Sequence, residues 1–406
     1  MATPTTTVFT GIRPWGGEPV DLVVADGVIT QHAPSGTAAA AAPGAEVVDG
    51  SGRIALPTMV DAHIHPDKTA WGEPWVSRKR ALGIAELGQA DAELFRTLPT
   101  PVGERAYRLM AHAAAQGTRA MRAHADVAPA FGLAGLQGVA EARERLAGIV
   151  DVQTVAFPQH GVNVAPGTAE LMEEAVRGGL ADFVGGIDPI AFDRDLTGQL
   201  DLLFGLADRF GVGVDLHLHD RGPEGLDVFD AVVERTRALS LGGRVTVSHS
   251  FALVGLPDAE LDRRAAELAE TGISLTTVAP AGSTLPVRRL RELGVRVGLG
   301  SDGVRDSWSP FGNADMLHRA HLMARSLRAR VDEDLELGFH TAAAHGAELV
   351  GLPVSDLAVG APADFFLVSG ECLAQVVVDV PARELVVRGG TVVARDGRLV
   401  SGSSAG

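Results

Sequence analysis

Two histidines one residue apart, His63 and His65, close an apolar stretch that begins at Ile54. On a strand successive side chains point to opposite faces, so both imidazoles face one side. Two imidazoles at a strand end can hold one metal ion. Six later strand-like runs also end on polar groups: His124-Ala125-Asp126, Gln159-His160, Asp188, His217-Leu218-His219-Asp220, His249 and Ser301-Asp302. From these, His63, His65, His217 and Asp302 make a coherent ligand set. Three imidazoles and a carboxylate suit one divalent ion, zinc first, with ferrous iron or manganese as alternatives. Such an ion brings the pKa of a bound water towards neutrality and makes hydroxide available. Asp302 is expected to ligate the ion and also take the water's proton. His249 is expected to orient the hydroxide or polarise the substrate.

The elements that must position these groups alternate along the chain. Strand-like runs fall at 54–60, 118–124, 152–157, 183–187, 212–217, 245–248, 273–277 and 295–300, with helical patterns such as 103–116, 137–148, 166–178, 197–210, 226–239 and 257–271 among them. Gly117 stands where a left-handed residue stops the first of these helices. Eight β/α units predict an α/β fold of the closed (β/α)8 TIM-like type, whose active site gathers at the C-terminal ends of the strands. Both chain ends read instead as short strands. Residues 21–25 turn at Asp26-Gly27 into Val28-Ile29, and Val47-Val48 meets Asp49-Gly50. Residues 363–368, 384–387 and 391–393 lead to Asp396-Gly397. An Asp-Gly pair between apolar runs signals a hairpin. The alanine-rich stretch 37–46 reads as a loop, and residues 401–406 as a frayed tail. A small β-sandwich domain from residues 1–57 plus 355–406 is therefore expected beside a catalytic barrel of residues 58–354.

The 406 residues carry 35 Lys and Arg against 51 Asp and Glu, a formal charge of −16. That balance argues against nucleic acid as a partner, because phosphate binding needs a basic surface. It leaves a free heterocycle, which has no phosphate, open. Cys372 is the single cysteine, which fits a reducing compartment. The threonine-rich start lacks the charged and apolar regions of a secretory signal. No run approaches the roughly 18 apolar residues of a membrane span. A cytoplasmic enzyme with no membrane partner is expected, and a homo-oligomer is compatible with it.

Taken in order, the His-x-His after strand one, the histidines ending strands five and six and the aspartate ending strand eight resemble the amidohydrolase superfamily. The split β domain and the closing Gly360-Ala361-Pro362-Ala363-Asp364 are similar to it as well. The resemblance covers nearly the whole chain. A finer likeness, to the cytosine deaminase branch, lies in Arg122-Ala123-His124-Ala125-Asp126, Ala156-Phe157-Pro158-Gln159, Val247-Ser248-His249 and the run from Asp306 to Leu317. Nothing at Gly185-Gly186-Ile187-Asp188 fits the superfamily's bridging lysine, so the resemblance implies a single metal ion. It also implies that Gln159 hydrogen-bonds a bound heterocycle. Further substrate-binding candidates are Asp126, His124, Lys68, which stands just past the His-x-His, and Trp308, which follows Asp302 on the same loop. Two departures stand out. The branch has a glutamate three residues after the strand-five histidine, to shuttle a proton to the ring; here that position is Asp220, with Glu224 as a substitute. The branch often has two aspartates after strand eight; here they are Asp302-Gly303.

The expected function is hydrolytic deamination of a small aminated N-heterocycle, cytosine-, pterin- or triazine-like, by hydroxide formed at the metal, with release of ammonia. Hydrolysis of a cyclic or side-chain amide is the alternative, and a non-catalytic binding protein on the same fold a minor one. His32, His112, His318, His321, His340 and His345 read as surface or packing residues. Trp71 and Trp75 either wall a pocket or pack their loop onto the barrel.

Overall fold

The computed structural model describes residues 6–78 and 84–400, so the expected tail at 401–406 lies outside the described residues. Eight parallel strands close a barrel. In chain order they are Met59–His65, Thr118–Asp126, Asp151–Phe157, Phe183–Ile187, Gly213–His217, Val245–Ser248, Ser274–Thr277 and a broken eighth strand, Val297–Leu299 with Asp302–Gly303. The first piece of the eighth strand pairs with the seventh, and the second pairs with the first, which completes the ring. Gly300 sits in the break. A Cβ there would run into the backbone and Cβ of His63. Only glycine lets the eighth strand approach the first this closely.

Helices on the outside bury one apolar face against the barrel. Val102–Ala115 places Ala106, Leu109, Met110 and Ala113 in the core, at the spacing of an amphipathic helix. Gly117 follows with φ of 94°, the left-handed stop read from the sequence. The helices Leu196–Phe210, Gly222–Ala238 and Asp258–Thr271 begin and end within a few residues of their expected places.

One expected strand divides. The run 54–60 is two elements: Ile54–Pro57 pairs with Phe365–Val368 and Thr6–Pro14, and the barrel strand starts at Met59. Pro57 has no N–H to donate, and the chain leaves one sheet for the other directly after it.

The two chain ends form a mixed nine-stranded sheet, as expected of a composite domain. A bulge between Phe9 and Ile12 in the strand Thr6–Pro14 lets its first half pair with Val20–Ala25 and Glu46–Asp49, and its end with Ile54–Pro57. The sheet encloses its own core of Phe9, Leu22, Val24, Phe365, Leu367 and Val387, with the Phe9 and Phe365 rings edge to face at 4.9 Å. Of the three Asp-Gly pairs in the chain ends, 26–27 and 396–397 have positive φ at each residue, as tight hairpins require. At Asp49-Gly50 the left-handed residues are the following Ser51 and Gly52, and the strand Glu46–Asp49 runs parallel to Thr6–Pro14. The stretch 37–46 is not all loop: Ala38–Ala41 forms one helical turn, in keeping with alanine's preference. Among the described residues, no helix is long and apolar enough to cross a membrane.

Candidate active site

His63 and His65 leave the first strand on the same face, as alternation demands, and both are buried. His217 ends the fifth strand with its Nε2 3.3 Å from His65 Nε2. Asp302 Oδ1 lies 3.5 Å from His65 Nε2 and 3.7 Å from His63 Nε2. The ligand atoms of His63, His65 and Asp302 lie close enough together to hold a metal ion, and so do those of His63, His124 and His217. Burial, reinforced by neighbouring Lys68 and imidazoles, holds His65 well below the ordinary histidine range. Burial and the surrounding imidazoles do the same to His217. His249 is likewise held low, by burial first and then by His219. These rings are neutral near pH 7 and present lone pairs. His63 Nε2, His65 Nδ1, His217 Nδ1 and both nitrogens of His249 are buried without a hydrogen-bond partner among the described residues. Buried polar atoms are rarely left so. Asp302 and His249 hold φ of 62° and 67°, in the left-handed region that non-glycine residues seldom occupy.

A dense polar layer lies beneath the imidazoles. Ser248 Oγ is 3.0 Å from His63 Nδ1 and donates to Asp215 Oδ1 at 2.7 Å. Thr276 Oγ1 donates to Ser248 Oγ at 2.7 Å. Arg122 donates to Asp215 Oδ2 at 3.0 Å and to Thr246 Oγ1 at 2.8 Å. His124 packs its ring 4.1 Å from that of His63, with Nε2 3.4 Å from Asp215 Oδ1. Phe157 stacks on His217 at 3.9 Å.

Above them opens a cavity of about 310 Å³, walled by Lys68, Gln159, Ile187, Phe192, His219 and Trp308 and floored by His65, His217, His249 and Asp302. Lys68 donates to both carboxylate oxygens of Asp126, at 2.9 and 3.1 Å, and to Gln159 Oε1 at 2.9 Å. Burial opposes the charge of Lys68, but Asp126, Asp91, Asp67 and Asp306 outweigh it and hold the lysine protonated. Asp306 Oδ1 accepts from the Trp308 and Ser309 N–H groups, at 2.9 and 2.8 Å, while Oδ2 has no partner among the described residues. Burial pushes the Asp306 carboxyl up to about 7. His219 Nδ1 bonds Asp188 Oδ2 at 2.8 Å. Burial disfavours a charge on His219, but the hydrogen bond to Asp188 prevails and raises it.

Of the residues singled out from sequence, His65, Lys68, Gln159, His217, His249, Asp302 and Trp308 line this cavity. His63 lies among the imidazoles just behind it. His124 and Asp126 do not line it: one packs behind His63, the other holds Lys68. Asp220 and Glu224 do not line it either. The Asp220 carboxylate faces the Ala191 N–H at 3.4 Å, and Glu224 is exposed on the first turn of its helix. His219, one residue earlier, points in instead. The reason is the turn after His217: Asp188 accepts from the backbone N–H and the ring of His219 and fixes that side chain over the cavity. Sequence reasoning gave no role to His219, Asp188, Asp306 or Ser248, and missed Asp215. Alternation offered a signal for one of them, since Asp215 shares the face of His217. Trp71 packs on His112 at 4.8 Å, Trp75 is exposed, and neither lines the cavity. His32 and His321 bond the carbonyls of Leu357 and Val377, and His340 packs on Trp15.

An eight-stranded β/α barrel with imidazoles and an aspartate gathered at the strand ends, and a composite sheet from both termini, defines a class. Residues 100–400 match the model of the amidohydrolase family, and the chain belongs to that family. It is a hydrolase with cytosine-deaminase-like relatives. It is similar to the crystal structure of N-isopropylammelide isopropylaminohydrolase from Burkholderia multivorans, at 39% identity and a TM-score of 0.91, over 98% of this chain and 100% of that one. It is 30% identical to N-isopropylammelide isopropyl amidohydrolase of Pseudomonas sp. (strain ADP), over 87% of this chain and 89% of that protein. It also resembles 5-methylcytosine deaminase from Klebsiella pneumoniae liganded with phosphonocytosine, at 27% identity and a TM-score of 0.78, over 96% and 98% of the two chains.

Proposed function

We propose that this protein hydrolyses the bond between a small N-heterocycle and its exocyclic amine, unsubstituted or alkylated, using one divalent metal ion, zinc in the first instance. The observation that carries this reading is the convergence of His63 Nε2 and His65 Nε2 on Asp302 Oδ1, with His217 Nε2 beside His65, at the floor of a small cavity. That donor set fits a cation: neutral imidazoles and a carboxylate, in a site that otherwise leaves the buried Nε2 of His63 unsatisfied. His63, His65, His217 and Asp302 would hold it. A bound divalent ion supplies Lewis acidity and brings a water's pKa towards neutrality. The fourth barrel strand offers Gly185 and Gly186 in place of a lysine, which favours one ion over a bridged pair.

The remaining steps belong to the chain's own groups. The Asp302 carboxylate takes the proton of the attacking water. His249 donates a hydrogen bond to the oxygen as it adds to the ring carbon, in a pocket where burial strengthens such a bond. His219, its Nδ1 held by Asp188, turns Nε2 towards the cavity and delivers a proton to the ring nitrogen or departing amine. This replaces the carboxylates expected from sequence, neither of which lines the cavity. Gln159 and Lys68 hold the far edge of the ring, and Phe192 and Trp308 cover it. The names of the relatives support both halves of the reading, a heterocyclic ring and an amine that leaves it.

The test is to load the purified protein with zinc or manganese, quantify bound metal, and assay amine release from cytosine, 5-methylcytosine, pterins, ammelide and N-alkylated ammelides. Release of ammonia or alkylamine that disappears in His249→Ala and Asp302→Asn supports the proposal. A metal-loaded protein that frees no amine, yet opens cyclic amides to carboxylates, overturns it in favour of amide hydrolysis.

A further inference from the structure

The layer beneath the imidazoles carries one more conclusion, drawn from counting protons. Ser248 Oγ has a single hydrogen and three polar neighbours: Asp215 Oδ1 at 2.7 Å, Thr276 Oγ1 at 2.7 Å and His63 Nδ1 at 3.0 Å. Asp215, paired with Arg122 Nη1 at 3.0 Å, accepts and does not donate. The Ser248 hydrogen therefore goes to Asp215. Thr276 donates into one lone pair of Ser248. What remains for His63 is the other lone pair, so His63 meets Ser248 as a donor and carries its proton on Nδ1. Its Nε2 is then a bare lone pair, buried and partnerless, turned towards Asp302 at 3.7 Å. All four groups of the chain Arg122, Asp215, Ser248 and His63 are buried, so water does not scramble the order.

We propose that Ser248 is a positioning residue for the cation site: oriented by the Arg122–Asp215 pair, it accepts the Nδ1–H of His63 and fixes the tautomer whose Nε2 faces the cation. The proposal rests on the reading of His63 as a ligand. Partners of this kind, which hold a ligating imidazole from behind, change metal affinity by about 10- to 100-fold when removed.

Two substitutions probe the relay. Ser248→Ala removes the acceptor. Asp215→Asn keeps the shape and reverses the polarity: with its oxygen on Arg122, the new amide N–H₂ donates to Ser248, the hydroxyl turns its hydrogen on His63 Nδ1, and the imidazole is driven to the Nε2–H form. The readouts are zinc affinity by chelator competition, and the tautomer of His63 from nitrogen-15 NMR of histidine-labelled, metal-free protein. The expected wild-type result is an Nδ1–H imidazole. Zinc affinity should fall about 10- to 100-fold in Ser248→Ala, with Asp215→Asn at least as impaired and showing Nε2–H, and Ser248→Thr should restore binding. A wild-type Nε2–H tautomer overturns the proposal even if neither variant folds, and so does undiminished zinc affinity in both variants. If His63→Ala binds zinc as tightly as wild type, the reading of His63 as a ligand fails, and that result is distinct from failure of the relay.

Discussion

Lys68 Nζ donates to Gln159 Oε1 at 2.9 Å, and this bond decides which end of the amide a ligand meets. With its oxygen committed to the lysine, Gln159 offers Nε2 to the cavity. The bound ring must place an acceptor there, a carbonyl oxygen or an unprotonated ring nitrogen. Gln159→Glu replaces that donor with an acceptor. KM should rise about 10- to 100-fold, the cost of one unmade buried hydrogen bond, with a smaller change in kcat. Steady-state kinetics on any substrate found in the amine-release panel will check this.

Lys68 is also the counter-charge for a buried cluster of aspartates. Lys68→Met leaves Asp126 buried and uncompensated, and breaking such a pair from one side costs about 3–5 kcal/mol. Denaturant unfolding should show that loss. The double variant Lys68→Met, Asp126→Leu should recover much of the stability while KM stays high, which separates the structural role of the pair from its role towards the ligand.

Much of this was legible in the chain, and the limit falls in a definite place. Alternation along a strand is rigid, so His63 and His65 on one face, and polar groups at successive strand ends, could be read before any fold was seen. What could not be read is how the loops after the strands turn. Asp220 occupies the expected spacing after His217, but Asp188 captures His219, and the loop then aims the Asp220 carboxylate at the Ala191 N–H. The Ser248 relay escaped for a different reason: it joins residues from four strands, and no local pattern announces that Ser248 and His63 meet.

Asp306 supplies a carboxylate beside the position left empty by Gly303. A Cβ on residue 303 would overlap the Asp306 carboxylate, so the two positions cannot both be filled as they stand. Gly303→Asp, which restores the second aspartate of the cytosine deaminase pattern, should displace Asp306 and its bonds to Trp308 and Ser309, and lower kcat/KM about tenfold or more. Combining it with Asp306→Gly should recover part of the loss.

Asp306 also predicts a pH dependence. Its carboxyl has an ordinary value of 3.8 and is pushed up to about 7 by burial. Between those values the folded protein holds a proton that the unfolded chain has lost. This group's contribution to stability is thus fully present below about pH 4 and is lost as pH rises to about 7. Urea unfolding midpoints of wild type relative to Asp306→Asn should decline from pH 5 to pH 8. A flat difference would mean that Asp306 stays ionised throughout.

His219 is the group that sequence spacing passed over and the cavity singles out. If it delivers the proton that lets the amine leave, His219→Gln should reduce kcat about 10²- to 10⁴-fold with little change in KM. Asp220→Asn and Glu224→Gln, whose carboxylates do not line the cavity, should remain near wild type. The decisive comparison is across leaving groups. An amine that departs easily needs little help from an acid, so the deficit of His219→Gln should shrink as the leaving amine becomes a weaker base. Bound zinc should stay unchanged, because His219 would act on the substrate and not on the ion. A deficit of equal size for every leaving group would mean that His219 acts on the ring and does not protonate the departing amine.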